Sequence, residues 1–143
     1  MKWKLKKRIP DDVYGFVYKV TCHLPDYADY IYIGSKAMYS NRSVKLSKKK
    51  QTELYKGRGK KPTKTRQIKE SDWESYTTSS KIINELIKQH AIEAFTWEII
   101  DYGFSKADLL LKEVEYQIKY KVFRIEKSFN YMLRASIYKK NLM

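Results

Sequence analysis

Glu113 is the carboxylate whose place in the sequence best suits it to bind a metal ion. On a helix turning by about 100° per residue, Glu113 falls on the same arc as Leu109 and Tyr116. A carboxylate on such an inward face is costly unless it is paired or bound to a cation, and hard divalent cations prefer oxygen ligands. Glu115 falls toward a lysine-rich side, where it can pair with Lys119 at i+4. Glu113 is therefore the predicted metal ligand, and Glu115 is the alternative.

Tyrosine is frequent enough to indicate chemistry as well as packing, since 13 of the 143 residues are Tyr. Two tripeptides carry the tyrosines of most interest, Phe16-Val17-Tyr18 and Tyr32-Ile33-Gly34, and Arg42 follows Tyr32 by ten residues. Taken singly, Tyr18 and Tyr32 are ordinary strand aromatics and Arg42 is an ordinary contact to phosphate. Taken by themselves, these residues leave both a packing role and a chemical role open.

The charge of the chain points to a polyanionic partner. Lys and Arg number 30 against 16 Asp and Glu, which gives a formal net charge of +14. Such a balance favours nucleic acid over other partners. Twelve of the basic residues lie in residues 42–70, against only Glu53 and Glu70, and Gly57, Gly59 and Pro62 interrupt the segment. The sequence therefore predicts a mobile basic loop that binds DNA phosphates, with a helical turn or two before Gly57.

The predicted DNA contacts are ten of the twelve basic side chains of this loop, together with Lys36 just before it. They are Lys36, Lys45, Lys48, Lys49, Lys50, Lys56, Arg58, Lys60, Lys61, Lys64 and Arg66.

The elements that must position these residues follow from the apolar pattern. Residues 13–21 and 30–34 are rich in β-branched and aromatic residues and predict an antiparallel hairpin. Residues 79–90 predict a helix, 95–101 a third strand, and 105–124 the longest helix, opened by Ser105. The expected fold is α+β, with helices packed on a small three-stranded antiparallel sheet.

The length predicts one domain, residues 1–143, with a basic leader at 1–12. No run of eighteen apolar residues occurs, and the leader has no apolar core like that of a secretory signal. We therefore expect a soluble cytoplasmic protein without a membrane partner. Because Cys22 is the single cysteine, the chain cannot form an internal disulfide. One cysteine and two histidines are also too few for the four ligands of a structural zinc site.

The two tripeptides resemble the paired motifs that define the GIY-YIG endonucleases, and the second is an identical match. Arg42 stands where that family places an arginine that supports cleavage, Glu113 lies in the helix after the third strand, and Asn130 looks like its closing asparagine. Residues 70–80 and 113–117 also resemble small phage-encoded members related to homing endonucleases.

The resemblance implies a metal-dependent endonuclease that hydrolyses phosphodiester bonds in double-stranded DNA. Tyr18 would act as the general base or orient it, Tyr32 would position the water or the phosphate, and Arg42 would stabilise developing negative charge. Glu113 would anchor Mg²⁺ or Mn²⁺, and Asn130 would shape the pocket or fix the backbone. Because a free tyrosine has a pKa near 10, nearby positive charge from Arg42, the cation or Lys36 would have to lower it.

Two positions depart from the family pattern. Phe16 stands where the first motif normally has Gly, with Gly15 directly before it, so Tyr14 is the alternative to Tyr18. Leu46 stands four residues past Arg42, where many relatives carry a histidine.

Two other classes of function stay open. A non-catalytic nucleic-acid-binding module on the same fold would bind DNA without metal-dependent cleavage. A ribosomal-protein-like RNA binder would prefer structured RNA to duplex DNA. For a nuclease with one active site, a double-strand break needs a homodimer or two successive cuts. If the protein is phage-encoded, it would act in the cytoplasm of a bacterial host.

Overall fold

The structure, a computed structural model, describes residues 2–131 apart from the side chains of Asn41, Arg42 and Arg66. The described part contains six strands and three α-helices. In chain order they are β1 (Trp3–Leu5), β2 (Gly15–Cys22), β3 (Ile31–Ala37), β4 (Tyr39–Lys45), α1 (Lys48–Leu54), β5 (Lys64–Glu70), α2 (Lys81–Gln89), β6 (Phe95–Gly103) and α3 (Lys106–Lys119).

The main sheet has the strand order β1-β6-β2-β3. Its antiparallel strands β2, β3 and β6 are the three that the sequence predicts. The expected strand count is wrong, because β1 adds a fourth strand parallel to β6, with Trp3 opposite Trp97. Trp3 is buried and donates its indole N–H to the carbonyl of Trp73 at 3.0 Å, which fixes this part of the leader. The α+β class is confirmed, with a mixed sheet of four strands.

The two faces of the main sheet pack against different helices. Phe16 and Tyr18 point into a core that includes Ile83 of α2. Ile33 points the opposite way, into a second core with Leu109 of α3. Since successive side chains of a strand alternate between faces, odd and even residues of β2 and β3 serve separate cores. The strand β3 lies at one edge of the sheet, where groups from both faces can meet.

The basic segment of residues 42–70 is not the loop that the sequence predicts. Its ends belong to β4 and β5, which pair antiparallel over seven residues from Tyr39↔Glu70 to Lys45↔Lys64. Between them lies α1, capped by Ser47, whose side chain accepts a hydrogen bond from the Lys50 N–H. Lys- and Arg-rich strands lack the alternation that marks a half-buried strand, so no local pattern indicates this pairing.

The two long helices begin at serine caps. Ser80 accepts a hydrogen bond from the Ile83 N–H at the start of α2, and Ser105 accepts one from the Asp108 N–H at the start of α3. The predicted end of the last helix at 124 is wrong, since α3 stops at Lys119 and Lys121 adopts φ 54°. Among residues 2–131, no helix has the length and apolar character needed to cross a membrane.

Candidate active site

Tyr18 and Tyr32 lie side by side on one face of the main sheet. Tyr18 of β2 is directly opposite Gly34 of β3, and Tyr32 is two residues before Gly34 on the same face. The two ring centroids are 6.1 Å apart. Tyr14 packs instead with the α3 side of the sheet. The tyrosine next to Tyr32 is therefore Tyr18, and the alternative register through Tyr14 places its ring on the other face.

Gly34 makes this tyrosine pair possible. A Cβ at Gly34 would lie 2.6 Å from Tyr18 Oη, 2.7 Å from Tyr18 Cζ and 2.8 Å from Tyr32 Cε1. The strand continues past Gly34 to Ala37, so the glycine neither ends the strand nor forms a turn. Its missing side chain leaves the space in which both rings pack.

The hydroxyls of both tyrosines meet the segment just before α2. Tyr18 Oη lies 3.2 Å from Thr78 Oγ1 in the buried interior, and Tyr32 Oη lies 2.8 Å from the exposed Ser79 Oγ. Sequence reasoning assigned neither Thr78 nor Ser79 a role, because the contacts join residues 60 and 47 positions apart. The local signal that the sequence offers for these two residues is a run of hydroxyl side chains before an amphipathic helix.

The two tyrosines differ in access to solvent. Tyr18 is fully buried, at 0% exposure, and burial raises the pKa of its phenol well above the ordinary value, with further upward contributions from Tyr76 and Tyr32. Burial also raises the pKa of the half-buried Tyr32, and the negative charge of Glu113 adds to that shift. Both phenols are therefore protonated at neutral pH in this environment, and Tyr32 is the one whose hydroxyl reaches the surface.

Glu113 reaches the edge strand β3 from the opposite face of the sheet. Its Oε2 accepts a hydrogen bond from Ser35 Oγ at 2.6 Å, and its Oε1 accepts a longer one from Gln117 Nε2 at 3.4 Å. Ser35 directly follows the Tyr32-Ile33-Gly34 tripeptide, so the carboxylate is tied to the motif strand. Glu115, the alternative, is exposed on the outer side of α3.

The surroundings of Glu113 suit a weakly held divalent cation. Its carboxylate is half-buried, its donors are neutral, and within the described part of the chain it forms no ion pair. Residues 2–131 contain no cluster of three or more His, Cys, Asp or Glu side chains. Mg²⁺ commonly binds through one or two carboxylates with water and substrate phosphate completing its shell, so Glu113 can anchor such a cation without a larger acidic cluster.

Asn130 binds the backbone of the motif strand. Its Oδ1 accepts a hydrogen bond from the Ile33 N–H at 2.9 Å, and its Nδ2 donates to the Ile33 carbonyl at 2.8 Å. Nearby, the Phe129 N–H donates to the Ile31 carbonyl at 2.9 Å. These contacts cover the edge of β3 before Gly34 and hold the strand in place.

Lys36 lies on the tyrosine face, beyond Gly34. Its ammonium forms a 2.8 Å ion pair with the exposed Asp72 and lies 4.4 Å from the centroid of the Tyr76 ring. The same Tyr76 ring contacts Tyr18 edge to face, with centroids 6.2 Å apart. The Lys36 partnership also lowers the pKa of Asp72. A lysine paired only with an exposed carboxylate can exchange that partner for a phosphate.

The remaining predicted site residues lie on the segment that forms β4, α1 and β5. The backbone of Arg42 lies in β4 opposite Gln67, in a different sheet from Tyr32. The side chains of Arg42 and Arg66 are not among those that the structure describes. The other predicted phosphate contacts of this segment are exposed: Lys45, Lys48, Lys49, Lys50, Lys56, Arg58, Lys60, Lys61 and Lys64.

A family model described as "Putative endonuclease segE, GIY-YIG domain" matches residues 2–133. The match spans both tyrosine tripeptides and continues past Asn130. No curated protein and no solved structure matches the chain.

Proposed function

The chain belongs to the GIY-YIG endonuclease domain family, which indicates a nuclease, and from this we propose a metal-dependent endonuclease that hydrolyses phosphodiester bonds in double-stranded DNA. The observation that carries the proposal is the hydrogen bond from Ser35 to Glu113, which ties a half-buried carboxylate to the strand of the Tyr-Ile-Gly motif. The charge of +14 supports a polyanionic substrate.

The division of roles follows from exposure. Tyr32, beside the exposed Ser79, donates a hydrogen bond to the scissile phosphate or to the attacking water. Tyr18 lies beneath it and orients its ring, because a fully buried phenol with a raised pKa is a poor base. Lys36 contacts phosphate beside the site. Arg42 stabilises the developing charge of the transition state, and Asn130 fixes the motif strand from behind.

Glu113 holds the Mg²⁺ or Mn²⁺ of this proposal. When bound there, a divalent cation would supply charge relief to the phosphate and help to activate the attacking water. Ser35 and Gln117 orient the Glu113 carboxylate through their hydrogen bonds. Tyr32 and Lys36 orient the substrate. We assign cutting of the homing or restriction type, with double-strand breaks made by a homodimer or by two successive cuts.

Metal dependence is the first expected result. Purified protein in Mg²⁺ should nick or linearise supercoiled plasmid, excess EDTA should stop the reaction, and added Mg²⁺ should restore it. Plasmid that stays intact in Mg²⁺ but shifts on a gel would instead indicate the non-catalytic binding module. Stronger binding to structured RNA than to duplex DNA would indicate the RNA binder.

The two tyrosines should respond differently to loss of their hydroxyls. Tyr32→Phe should slow single-turnover cleavage on the order of 100-fold, because it removes a hydrogen-bond donor at the reacting phosphate. Tyr18→Phe should stay within about tenfold of wild type, since it loses one internal hydrogen bond to Thr78. Quenched-flow cleavage of an end-labelled duplex measures both. A larger loss from Tyr18→Phe than from Tyr32→Phe would make Tyr18 the reacting phenol.

A further inference from the structure

β4 and β5 form a narrow ribbon that leaves the body of the protein beside the candidate active site. In the described part of the chain this sheet has two strands, and each is seven residues long, which corresponds to about 20 Å. Only Met38 separates β4 from β3. The ribbon is anchored at that end, where the Ser71 N–H donates to the Met38 carbonyl at 2.8 Å and Ser71 Oγ donates to the Ala37 carbonyl at 2.6 Å.

The described side chains of β4 and β5 are more exposed than expected for strands that only stabilise the fold. Every described residue of β4 and β5 is exposed, including Val44 and Ile68, the latter at 73%. A two-stranded hairpin alone is at best marginally stable in water, so a surface that contributes further contacts is expected. The segment from 42 to 70 carries twelve cations and two carboxylates, a net +10 of the chain's +14. Its partner must therefore be strongly negative.

The two faces of the ribbon are not equivalent. Near its base, Tyr39 and Ile68 line a cavity of about 250 Å³ together with Val13 and Phe104 of the body. The register places Thr65, Gln67 and Lys69 on the other face, away from that cavity. Along β5, the outward face therefore presents the hydroxyl and methyl of Thr65, the amide of Gln67 and the ammonium of Lys69 at alternate positions.

We propose that this ribbon enters the major groove of duplex DNA and reads base edges with its outward face, an inference that rests on the proposed endonuclease function. The major groove is about 12 Å wide and about 8.5 Å deep and admits a two-stranded ribbon. A glutamine amide matches adenine, a lysine matches guanine, and a threonine methyl packs on thymine. The lysines of α1 and of residues 56–61 contact the flanking phosphates.

A second copy of the chain is a less favourable partner for the ribbon than DNA. The ribbon ends in the pair Lys45↔Lys64, and Lys69 lies near its base, so edge-to-edge association would bring like charges together. Double-stranded RNA is also a poor fit, because its deep and narrow major groove does not admit side chains.

The test is the base preference of cleavage. Wild type, Gln67→Ala and Lys49→Gln are incubated with a duplex pool randomised around a cleavage site, and the cut products are sequenced. Gln67→Ala should lose about tenfold in preference at one or two base positions, because its cleavage of the preferred sequences falls toward that of the other sequences. Lys49→Gln, on α1, should weaken cleavage of all sequences alike and reduce the salt dependence of binding by about one ion. Both side chains are exposed, so both variants should fold.

Entry of the ribbon into the major groove is tested separately with duplexes that contain 7-deazapurines. These bases lack the N7 acceptor that faces the major groove. Wild type should bind preferred duplexes carrying them about tenfold more weakly, and Gln67→Ala should show a smaller loss. The inference is overturned if wild type cuts without base preference, if Thr65→Ala, Gln67→Ala and Lys69→Ala all keep the wild-type preference, or if duplex RNA binds as well as DNA. Failure of wild type to cut any duplex in Mg²⁺ would overturn the endonuclease function itself.

Discussion

Replacing Glu113 by Gln is expected to slow DNA cleavage by about 100-fold or more while leaving the fold and DNA binding intact. The substitution keeps the shape of the side chain, and an amide oxygen can still accept the Ser35 hydrogen bond. It removes the negative charge with which Glu113 would hold the proposed divalent cation, and losing charge stabilisation at a reacting phosphate has effects of this size. Single-turnover cleavage at saturating protein, over a series of Mg²⁺ concentrations, measures the loss.

Glu115→Gln is the matched control for this prediction. It makes the same chemical change two residues away, on the exposed side of α3. We expect it to cut within about twofold of wild type, because an exposed helix carboxylate contributes little beyond a local ion pair. Full activity in Glu113→Gln together with a large loss in Glu115→Gln would exchange the assignments of the two carboxylates.

The parts of the fold that the sequence predicts are those with a strong local pattern. The β2–β3 hairpin and β6 are rich in β-branched and aromatic residues, and α3 combines an apolar stripe with a serine cap. The strand β1 has no such signal. It is three residues long, lies among lysines, and pairs with a strand about ninety residues later. Its burial depends on the Trp3 side chain, whose partners are distant in sequence.

The basic ribbon could not be predicted for a related reason. Both of its faces are exposed, so selection for a buried face has left no alternation of apolar and polar residues. Lysine and glycine indicate a loop when they are read one residue at a time. Pairing between β4 and β5 becomes visible only when residues 39–45 and 64–70 are aligned against each other.

For the candidate site, the helical pattern predicted the face of α3 on which Glu113 lies, but no pattern predicted the contacts that its carboxylate makes. The inward position of Glu113 follows from helical periodicity, and Ser35 and Gln117 donate hydrogen bonds to its carboxylate. The tyrosines and the carboxylate approach β3 from opposite faces, and the negative charge of Glu113 adds to the raised pKa of Tyr32. The hydroxyls of Thr78 and Ser79 depend on how α2 packs, which no local pattern contains.

Gly34→Ala is expected to lower both stability and activity, because the added methyl would need the space that the two tyrosine rings occupy. Contacts of 2.6 to 2.8 Å to rings in a packed core require the rings or the strand to move. Overpacking of this kind costs about 1–3 kcal/mol. Movement of the Tyr32 hydroxyl by about 1 Å away from Ser79 should also slow cleavage about 100-fold.

Urea unfolding and single-turnover cleavage of the same Gly34→Ala preparation separate these two effects, since only folded protein cuts. A double-mutant cycle identifies the colliding atom. Tyr18 Oη is the nearest atom to the added methyl, so Gly34→Ala should destabilise the Tyr18→Phe protein less than it destabilises wild type. Equal losses of stability in the wild-type and Tyr18→Phe proteins would show that the added methyl does not collide with the Tyr18 hydroxyl. Unchanged stability and activity in Gly34→Ala would mean that β3 can shift freely, and the glycine would then have no part in seating the tyrosines.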